Sequence, residues 1–183
     1  MAFRAFISVD LDRFSALRDL VKEVVAASQS VKSVDVDSMH LTLKFLGDTA
    51  ENLVPSIVSI MRDSVQGLEP FKIRLVGTGA FPNINYIRVV WVGLEDGGAL
   101  APVAKNLDVG LSKFGFEREE REFSPHVTIG RVKGPQGRER LKAVLNAHKA
   151  EVFGEQQVTS IRLKKSVLSP QGPTYSTVEE VRL

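Results

Sequence analysis

Two short stretches of the chain repeat one arrangement of residues about half a chain apart. "SMHLTLKFLG" covers residues 38–47 and "SPHVTIGRVK" covers residues 124–133. In each stretch a histidine stands two residues before a threonine, in a run where apolar and polar residues alternate as in a β-strand with one buried face. Because the chain has only three histidines, this recurrence constrains the fold more than any bulk property does.

The elements predicted around the two stretches also recur in one order. In each half, apolar spacing predicts a strand, a helix, the histidine strand, a second helix and a final strand. The flanking elements lie at residues 3–11, 12–27, 50–65 and 71–81 in the first half, and at 86–94, 99–114, 138–148 and 157–169 in the second. We therefore predict a single domain over 1–183 with an internal duplication, roughly 1–84 and 85–183.

The predicted fold class is α+β and bilobal. Two repeats are too few for a solenoid, so we expect two lobes related by a pseudo-twofold axis. Each lobe would hold an antiparallel sheet with helices outside it, and the sheets would face each other across a central cleft. This arrangement would bring His40 and His126 together across that cleft.

Composition narrows the class of protein further. Hydrophobic residues make up 43% and charged residues 25% of the 183 residues, which is ordinary for a globular chain. No run approaches the roughly 20 apolar residues of a membrane span, and Arg4 and Asp10 interrupt the opening segment where a secretory signal needs an apolar run. We expect a cytoplasmic protein with no membrane partner. The absence of cysteine excludes disulfides and thiolate chemistry, whereas the formal charge of +2 decides nothing.

The side chains of each histidine strand suit phosphate chemistry. Alternation places His40 and Thr42 on one face of their strand, and His126 and Thr128 on one face of theirs, about 7 Å apart along each strand. Histidine accepts and donates protons near neutral pH, so two histidines can act as general base and general acid on one phosphorus. Threonine hydroxyls can donate hydrogen bonds to the phosphate oxygens. No metal is needed for this reaction.

These motifs resemble those of a known family. "HLTLKFLG" (40–47) and "HVTIGRVK" (126–133), together with the opening "FRAFISVDL", closely resemble the two-histidine phosphoesterase superfamily. Within it, the chain is most similar to the RNA 2′,3′-cyclic phosphodiesterases, historically called 2′-5′ RNA ligases. The resemblance covers essentially the whole chain.

The resemblance implies a function. It implies metal-independent hydrolysis of a 2′,3′-cyclic phosphate at an RNA or nucleotide end to a 2′-phosphate, without a cofactor, and in some relatives the reverse 2′-5′ ligation. In the family pattern His40 would be the proton donor and His126 the proton acceptor, with Thr42 and Thr128 holding phosphate oxygens. The substrate would be an RNA or nucleotide with a cyclic end, transfer RNA fragments among the candidates, and we expect a monomer.

Three further residues are candidates for substrate binding. Lys44 shares the face of His40 by simple alternation and is a candidate to stabilise phosphate charge, although a lysine near a strand end is more often solvated. Arg131 lies off the His126 face, but a bulge at Gly130 would turn it inward. Phe45 is a candidate to stack on a base. Weaker candidates for base stacking or an RNA path are Phe6, Phe81, Tyr86, Arg74, Arg88 and Arg162.

Two other functions remain open from the sequence. One is a nucleotide or RNA binding module that keeps the cleft without useful turnover. The other is a metallohydrolase using both motif histidines and a carboxylate such as Asp37 or Glu122, although the histidines lack the short spacing of familiar zinc sites. The third histidine, His148, stands late in a polar helical stretch where a cation suits a helix C-terminus, so it receives no catalytic role.

Overall fold

A computed structural model describes residues 1–170 and 172–183. Within these residues the chain forms nine strands and four α-helices. The strands are β1 (Ala2–Asp10), β2 (Val31–Ser33), β3 (His40–Ala50), β4 (Phe71–Asn83), β5 (Tyr86–Glu95), β6 (His126–Val132), β7 (Val152–Val158), β8 (Ser160–Ser169) and β9 (Gly172–Arg182). The helices are α1 (Ser15–Ala27), α2 (Val54–Ser64), α3 (Leu100–Ser112) and α4 (Arg138–Ala147). The predicted order of elements around the two histidines is confirmed.

Three strands were not predicted, and each has a physical reason. β2 is only three residues long, too short for a periodic signal. The segment predicted as one strand, 157–169, contains the end of β7 and all of β8, because the ladder breaks at Thr159. β9 forms the sheet edge and buries only Val181, so its sequence lacks apolar alternation. The helix predicted over 50–65 begins later, at Val54, because β3 continues as far as Ala50.

The strands form one antiparallel sheet rather than two separate ones. Its order is β7-β4-β5-β6-β3-β1-β8-β9, with β2 pairing on β6. The two histidine strands β3 and β6 are central neighbours, joined through the pair Leu41 and Val127. The sheet curls around a cleft. The two lobes meet at the strands that carry the histidines.

Each lobe combines elements from both halves of the sequence. The first apolar core is built mainly from β1, β3, β8, β9, α2 and α3, with Ile73 of β4 and Val158 of β7 added, whereas the second joins β4, β5, β6 and β7 with α1 and α4. The strand order is symmetric about the β3–β6 pair, with β1 matching β5, β8 matching β4 and β9 matching β7. The duplication itself stays a prediction, and exchange of the final strand between two repeats would produce this order.

The helices pack by the apolar spacing that predicted them. On α1 the buried side chains are Leu17, Leu20, Val21 and Val24, which follow the i, i+3, i+4 pattern of one helix face. That face packs against the second core, and each fully buried leucine contributes about 1.5–3 kcal/mol. Among the described residues, no helix combines the length and the apolar character needed to cross a lipid bilayer.

Candidate active site

The two motif histidines begin adjacent strands. His40 is the first residue of β3 and His126 is the first residue of β6. The strands run antiparallel, and the residues that follow the histidines, Leu41 and Val127, are directly paired and fully buried. Because successive side chains of a strand point to opposite faces, both histidines point away from the core and into the cleft.

The same register fixes the relation between the histidines and the threonines. The one observed pair is Leu41 with Val127. Extending this antiparallel register by one residue in each direction places His40 opposite Thr128 and Thr42 opposite His126. Opposite residues of an antiparallel pair have Cβ atoms about 4.5–5.5 Å apart, and diagonal neighbours lie about 7–8 Å apart. The histidines therefore occupy one diagonal of a four-residue cluster and the threonines the other, which is a suitable span for one phosphate group.

Both imidazoles are held by the same backbone hydrogen bond. His40 Nδ1 lies 2.9 Å from the carbonyl oxygen of Ser38, and His126 Nδ1 lies 2.7 Å from the carbonyl oxygen of Ser124. A carbonyl oxygen only accepts hydrogen bonds, so Nδ1 must carry a proton in each ring. The Nε2 atom of each histidine is thereby left to take or give a proton at the cleft. The sequence signal for this contact is the Ser-X-His spacing present in both stretches.

Aromatic rings support each histidine. Phe6 stacks on His40 with ring centroids 4.6 Å apart, and Tyr175 packs edge-on against His40 at 5.1 Å. On the other side, Phe81 packs edge-on against His126 at 4.9 Å, with Trp91 behind it. These contacts fix the orientation of both imidazoles, so the predicted candidates Phe6 and Phe81 serve as supports for the histidine rings.

The residues that pair with the two histidines on the neighbouring strands differ in charge. Asp10 pairs with His40 across β1 and β3, whereas Gly93 takes the corresponding place opposite His126. Burial favours a higher pKa for Asp10, but the hydrogen bonds from Lys164 and Arg162 outweigh burial and hold the pKa below its ordinary value. The two lobes therefore differ electrostatically although their strands correspond.

The pKa of His40 reflects this surrounding. Burial lowers the pKa of His40 below its ordinary value, because a charged imidazolium loses solvation there. The hydrogen bond to the Ser38 carbonyl and the negative charge of Asp10 act in the opposite direction, and the Lys164 ammonium adds to the lowering. The surroundings of His40 therefore favour the neutral imidazole over the imidazolium in the free protein.

Matching β-bulges interrupt both histidine strands just after the threonine. Thr42 pairs with Ser8 and Lys44 with Ile7, so Leu43 is an extra residue in β3. In β6, Thr128 pairs with Trp91 and Gly130 with Val90, so Ile129 is the extra residue. A bulge of one residue exchanges the faces of all the residues beyond it.

The prediction that Lys44 shares the face of His40 is wrong. Beyond the bulge Lys44 points to the helix side, where it is 3% exposed and its ammonium contacts Asp108 of α3 at 2.8 Å. The ammonium also donates to the carbonyl oxygen of Glu117 and lies 3.3 Å from a carboxylate oxygen of Glu119. Lys44 therefore fastens the segment before His126 to the His40 strand and does not face the cleft.

The bulges bring the other two candidates into the cleft. Phe45 pairs with Phe6, lies on the face of His40 and is 64% exposed. Arg131 occupies the matching position in β6 and is exposed on the face of His126. The predicted inward turn of Arg131 is present, although the extra residue is Ile129 rather than Gly130. Both residues stay candidates for substrate binding.

Comparison with known proteins identifies the family. A family model described as the 2′-5′ RNA ligase superfamily matches residues 8–165, a span that includes both histidine strands. The chain belongs to this superfamily.

Several members of the superfamily are similar over the full chain. A Methanothermobacter thermautotrophicus protein named RNA 2′,3′-cyclic phosphodiesterase is 41% identical over 187 residues, covering 100% of both chains. A Methanocaldococcus jannaschii protein of the same name is 36% identical over 183 residues, covering 97% of this chain and 99% of its own. These similarities extend well beyond the two motifs.

Solved structures share the fold. A crystal structure of a Thermus thermophilus protein has a TM-score of 0.77 at 29% identity, covering 98% of this chain and 97% of its own. The Escherichia coli LigT structure complexed with 3′-AMP has a TM-score of 0.74 at 21% identity and covers 100% of this chain and 99% of its own. At that identity the second likeness concerns the bilobal fold alone.

The sequence analysis did not predict two residues that lie beside His40. Two other residues that it considered, His148 and Asp37, form ion pairs elsewhere in the structure. Tyr175 contacts the His40 ring and Asp10 pairs with His40 between strands. Both lie far from His40 in the sequence, so no local pattern predicts these contacts. His148 hydrogen-bonds Glu151 and Glu23, and these contacts raise its pKa. Asp37, the carboxylate considered for a metal site, forms ion pairs with two arginines, Arg13 and Arg18.

We expect Lys44→Met to destabilise the protein by about 3 kcal/mol at pH 7, the low end for breaking a buried ion pair, since Asp108 keeps Arg118. Asp108 accepts hydrogen bonds from Lys44, Arg118 and the backbone N–H of Glu119. These bonds hold the pKa of Asp108 at about 2, although burial acts to raise it. This stabilisation is present above the unfolded-state pKa and is lost as pH falls through about 2. Denaturant unfolding at a series of pH values between 7 and about 2 should therefore show the free energies of unfolding of wild type and Lys44→Met converging in acid.

The matched control for this variant is Lys72→Met. Lys72 is a surface lysine paired with Glu155 at 3.4 Å, and we expect its loss to change the free energy of unfolding by less than about 0.5 kcal/mol. Equal destabilisation by both substitutions would contradict the assignment of Lys44 as a buried structural cation.

Proposed function

We propose that this superfamily member is an enzyme that hydrolyses RNA or nucleotide 2′,3′-cyclic phosphate ends to 2′-phosphates. The observation that carries the proposal is the four-residue cluster of His40, Thr128, His126 and Thr42 on one face of the sheet. The names of the full-length relatives, RNA 2′,3′-cyclic phosphodiesterase, support the same reaction. A 2′,3′-cyclic phosphate fits this site because its hydrolysis needs a proton acceptor for the attacking water on one side of the phosphorus and a proton donor for the leaving oxygen on the other.

In the proposed mechanism the histidines divide the proton transfers. His126 takes a proton from water at Nε2 as the water oxygen forms a bond to phosphorus. The bond from phosphorus to the 3′ oxygen breaks, and protonated His40 gives its proton to that oxygen. The product keeps the phosphate on the 2′ oxygen. Thr42 and Thr128 donate hydrogen bonds to the non-bridging oxygens, where negative charge increases in the transition state.

The environment of His40 suits a proton donor that becomes protonated when the anionic substrate binds. Partial burial lowers the pKa of His40 and so favours its neutral form when the protein is free. A cyclic phosphate carries a negative charge, and an anion beside His40 favours the imidazolium form. When the anionic substrate binds, His40 thus takes up a proton from water, and a histidine with a lowered pKa then releases that proton readily to the leaving oxygen.

The mechanism requires no metal, no cofactor and no nucleoside triphosphate. Strain in the five-membered cyclic ester favours ring opening, so water is a sufficient co-reactant. A 5′ hydroxyl in the place of the attacking water would form the bond to phosphorus as the bond to the 3′ oxygen breaks, which leaves a 2′-5′ linkage. Attack by the 3′ hydroxyl on that linkage would reverse the step, and we include this reversible 2′-5′ ligation in the proposal. We also propose that the protein acts as a cytoplasmic monomer, with transfer RNA fragments among its substrates.

The direct experiment is incubation of the purified protein with an oligoribonucleotide ending in a 2′,3′-cyclic phosphate, with and without a metal chelator. We expect a product with a 2′-phosphate and a free 3′ hydroxyl, formed at the same rate in both conditions. Phosphorus NMR or a 3′-specific phosphatase identifies the hydroxyl that keeps the phosphate.

Other outcomes discriminate the alternatives. Binding of the oligonucleotide without product in a single-turnover reaction would favour a binding module. A rate that collapses in chelator would favour the metallohydrolase. A 3′-phosphate product would mean that the substrate binds in the opposite sense.

A further inference from the structure

Basic side chains of this protein fall into two groups according to whether a carboxylate accompanies them. Arg74 contacts Glu95 and Glu155, and Arg162 contacts Asp10 and Glu180, so two of the predicted RNA-path arginines have their charge balanced locally. No carboxylate of a described residue forms an ion pair with a set of basic residues on β2, β5, β6 and at the start of α4: Lys32, Arg88, Arg131 and Arg138. We call these four residues, together with Tyr86, the basic strip.

Two arginines of the basic strip converge on one aromatic ring. The guanidinium carbon of Arg88 lies 5.0 Å from the centroid of the Tyr86 ring, and that of Arg138 lies 5.8 Å from it. Arg88 also donates a hydrogen bond to the Tyr86 hydroxyl at 2.7 Å. Each exposed cation–π contact contributes about 0.5–1 kcal/mol, while the two like charges repel each other. An anion placed between these guanidinium groups would relieve that repulsion and gain charge-assisted hydrogen bonds.

The basic strip is continuous with the candidate active site along β5. Gly93 of β5 lies opposite His126, and Val89 lies opposite Arg131. Arg88 is the next residue along β5 and Tyr86 is its first residue, while Lys32 pairs with Arg131 from the other side. At about 3.3 Å per residue, the distance from Gly93 to Tyr86 is about 23 Å. A chain held at His126 can follow this line of positive charge away from the cleft.

We propose that the basic strip binds the phosphates of the single-stranded RNA that precedes the cyclic end. This inference rests on the proposed function and adds a preference for an RNA chain over a cyclic mononucleotide. Phosphates are the anions spaced regularly along such a chain, and guanidinium planes and a tyrosine ring also suit unstacked bases. A stacked strand advances about 3.4 Å per nucleotide, so the strip would span fewer than about seven nucleotides.

The test compares substrates of different length in wild type and in Arg88→Ala/Arg138→Ala. The substrates are a cyclic mononucleotide and oligoribonucleotides of up to about eight residues with a 2′,3′-cyclic end. For wild type we expect kcat/KM to rise with length by about tenfold or more. The double variant should lose most of that rise and keep mononucleotide kcat/KM within about twofold, because a mononucleotide at the histidines does not reach Tyr86.

Salt dependence gives an independent readout. Each phosphate contact on a single strand contributes about −0.7 to the slope of log affinity against log salt concentration. For the longest substrate, loss of two contacts should therefore make the slope of log kcat/KM less negative by about 1.4. The matched control, Lys72→Ala/Arg74→Ala, removes the same charge from carboxylate-paired side chains on β4 and should keep the wild-type slope.

Each failure has a distinct meaning. Wild-type kcat/KM that does not increase with length, while mononucleotides are hydrolysed, would overturn the basic strip and leave the proposed function intact. Equal losses in the two double variants would show a general charge effect and would also overturn it. No hydrolysis of any cyclic substrate would contradict the proposed function itself.

Discussion

Replacing either motif histidine with alanine should reduce kcat/KM on a cyclic mononucleotide by about 10²–10⁴, the range that general acid–base catalysis contributes. His40 and His126 occupy one diagonal of the four-residue cluster, and each has its Nδ1 atom fixed by a backbone carbonyl, so no neighbour can replace the lost Nε2. Initial rates over a range of substrate concentrations measure the effect. Either variant retaining activity within about tenfold of wild type would contradict the two-histidine mechanism.

The third histidine provides the matched control. His148 lies just beyond α4 and contacts Glu23 and Glu151, away from both motif strands. We expect His148→Ala to retain kcat/KM within about twofold, even if the loss of its two carboxylate contacts lowers stability slightly. Thermal melting of all three variants separates a loss of chemistry from a loss of folded protein.

A substrate with sulfur in place of the 3′ oxygen distinguishes the proton donor from the proton acceptor. A thiolate leaves without prior protonation because thiols are far more acidic than alcohols. We expect the loss caused by His40→Ala to shrink greatly on this substrate, whereas the loss caused by His126→Ala should remain. The reverse pattern would exchange the two roles while leaving the cluster itself in place.

The sequence predicted the parts of this site that depend on local pattern. The repeated motif singled out His40, Thr42, His126 and Thr128 as candidates, and alternation placed each histidine on the same face as its threonine. The pairing of Leu41 with Val127 between the two strands is consistent with that placement. Apolar periodicity also located the four α-helices of the described residues, because each of them buries one regular face. These features need only the order of neighbouring residues, which the sequence contains directly.

Other features depend on how the strands pair, which the local alternation of residues does not predict. Lys44 was placed on the wrong face because a bulge is defined by the partner strand, and the extra residue Leu43 resembles any other apolar strand residue. The aligned repeats contained a hint, since Lys44 corresponds to Gly130, a residue with no side chain to reach a phosphate. Tyr175 and Asp10 reach His40 only through the pairing of β1, β8 and β9.

The joining of the lobes is likewise a long-range property. Similar halves predicted two lobes, but the order of the strands shows that α1 and β4 pack in the lobe whose histidine strand is β6. Exchange of elements leaves the local sequence of each half unchanged, so periodicity cannot detect it. The adjacency of the two histidine strands is a second long-range property, because it depends on the direct pairing of β3 with β6 through Leu41 and Val127.

Removing the hydroxyl from Thr42 or Thr128 should reduce kcat by about 10²–10³, the cost of losing one donor to transition-state charge. Thr→Val keeps the shape of the side chain, and Thr→Ser at the same positions should restore most of the rate because it restores the donor. The control is Thr49→Val in the same strand, where the buried hydroxyl donates to the Gly47 carbonyl. That change should lower stability by about 1 kcal/mol and leave kcat unchanged.

The double variant Thr42→Val/Thr128→Val tests whether the two hydroxyls act on one phosphate. The threonines occupy the second diagonal of the cluster, so they approach the phosphate from opposite strands. If each holds a different non-bridging oxygen, the two losses should add in free energy, and kcat should fall by about the product of the single effects. A double variant no slower than the slower single variant would mean that one hydroxyl depends on the other. It would also contradict the picture of two independent donors flanking one phosphorus.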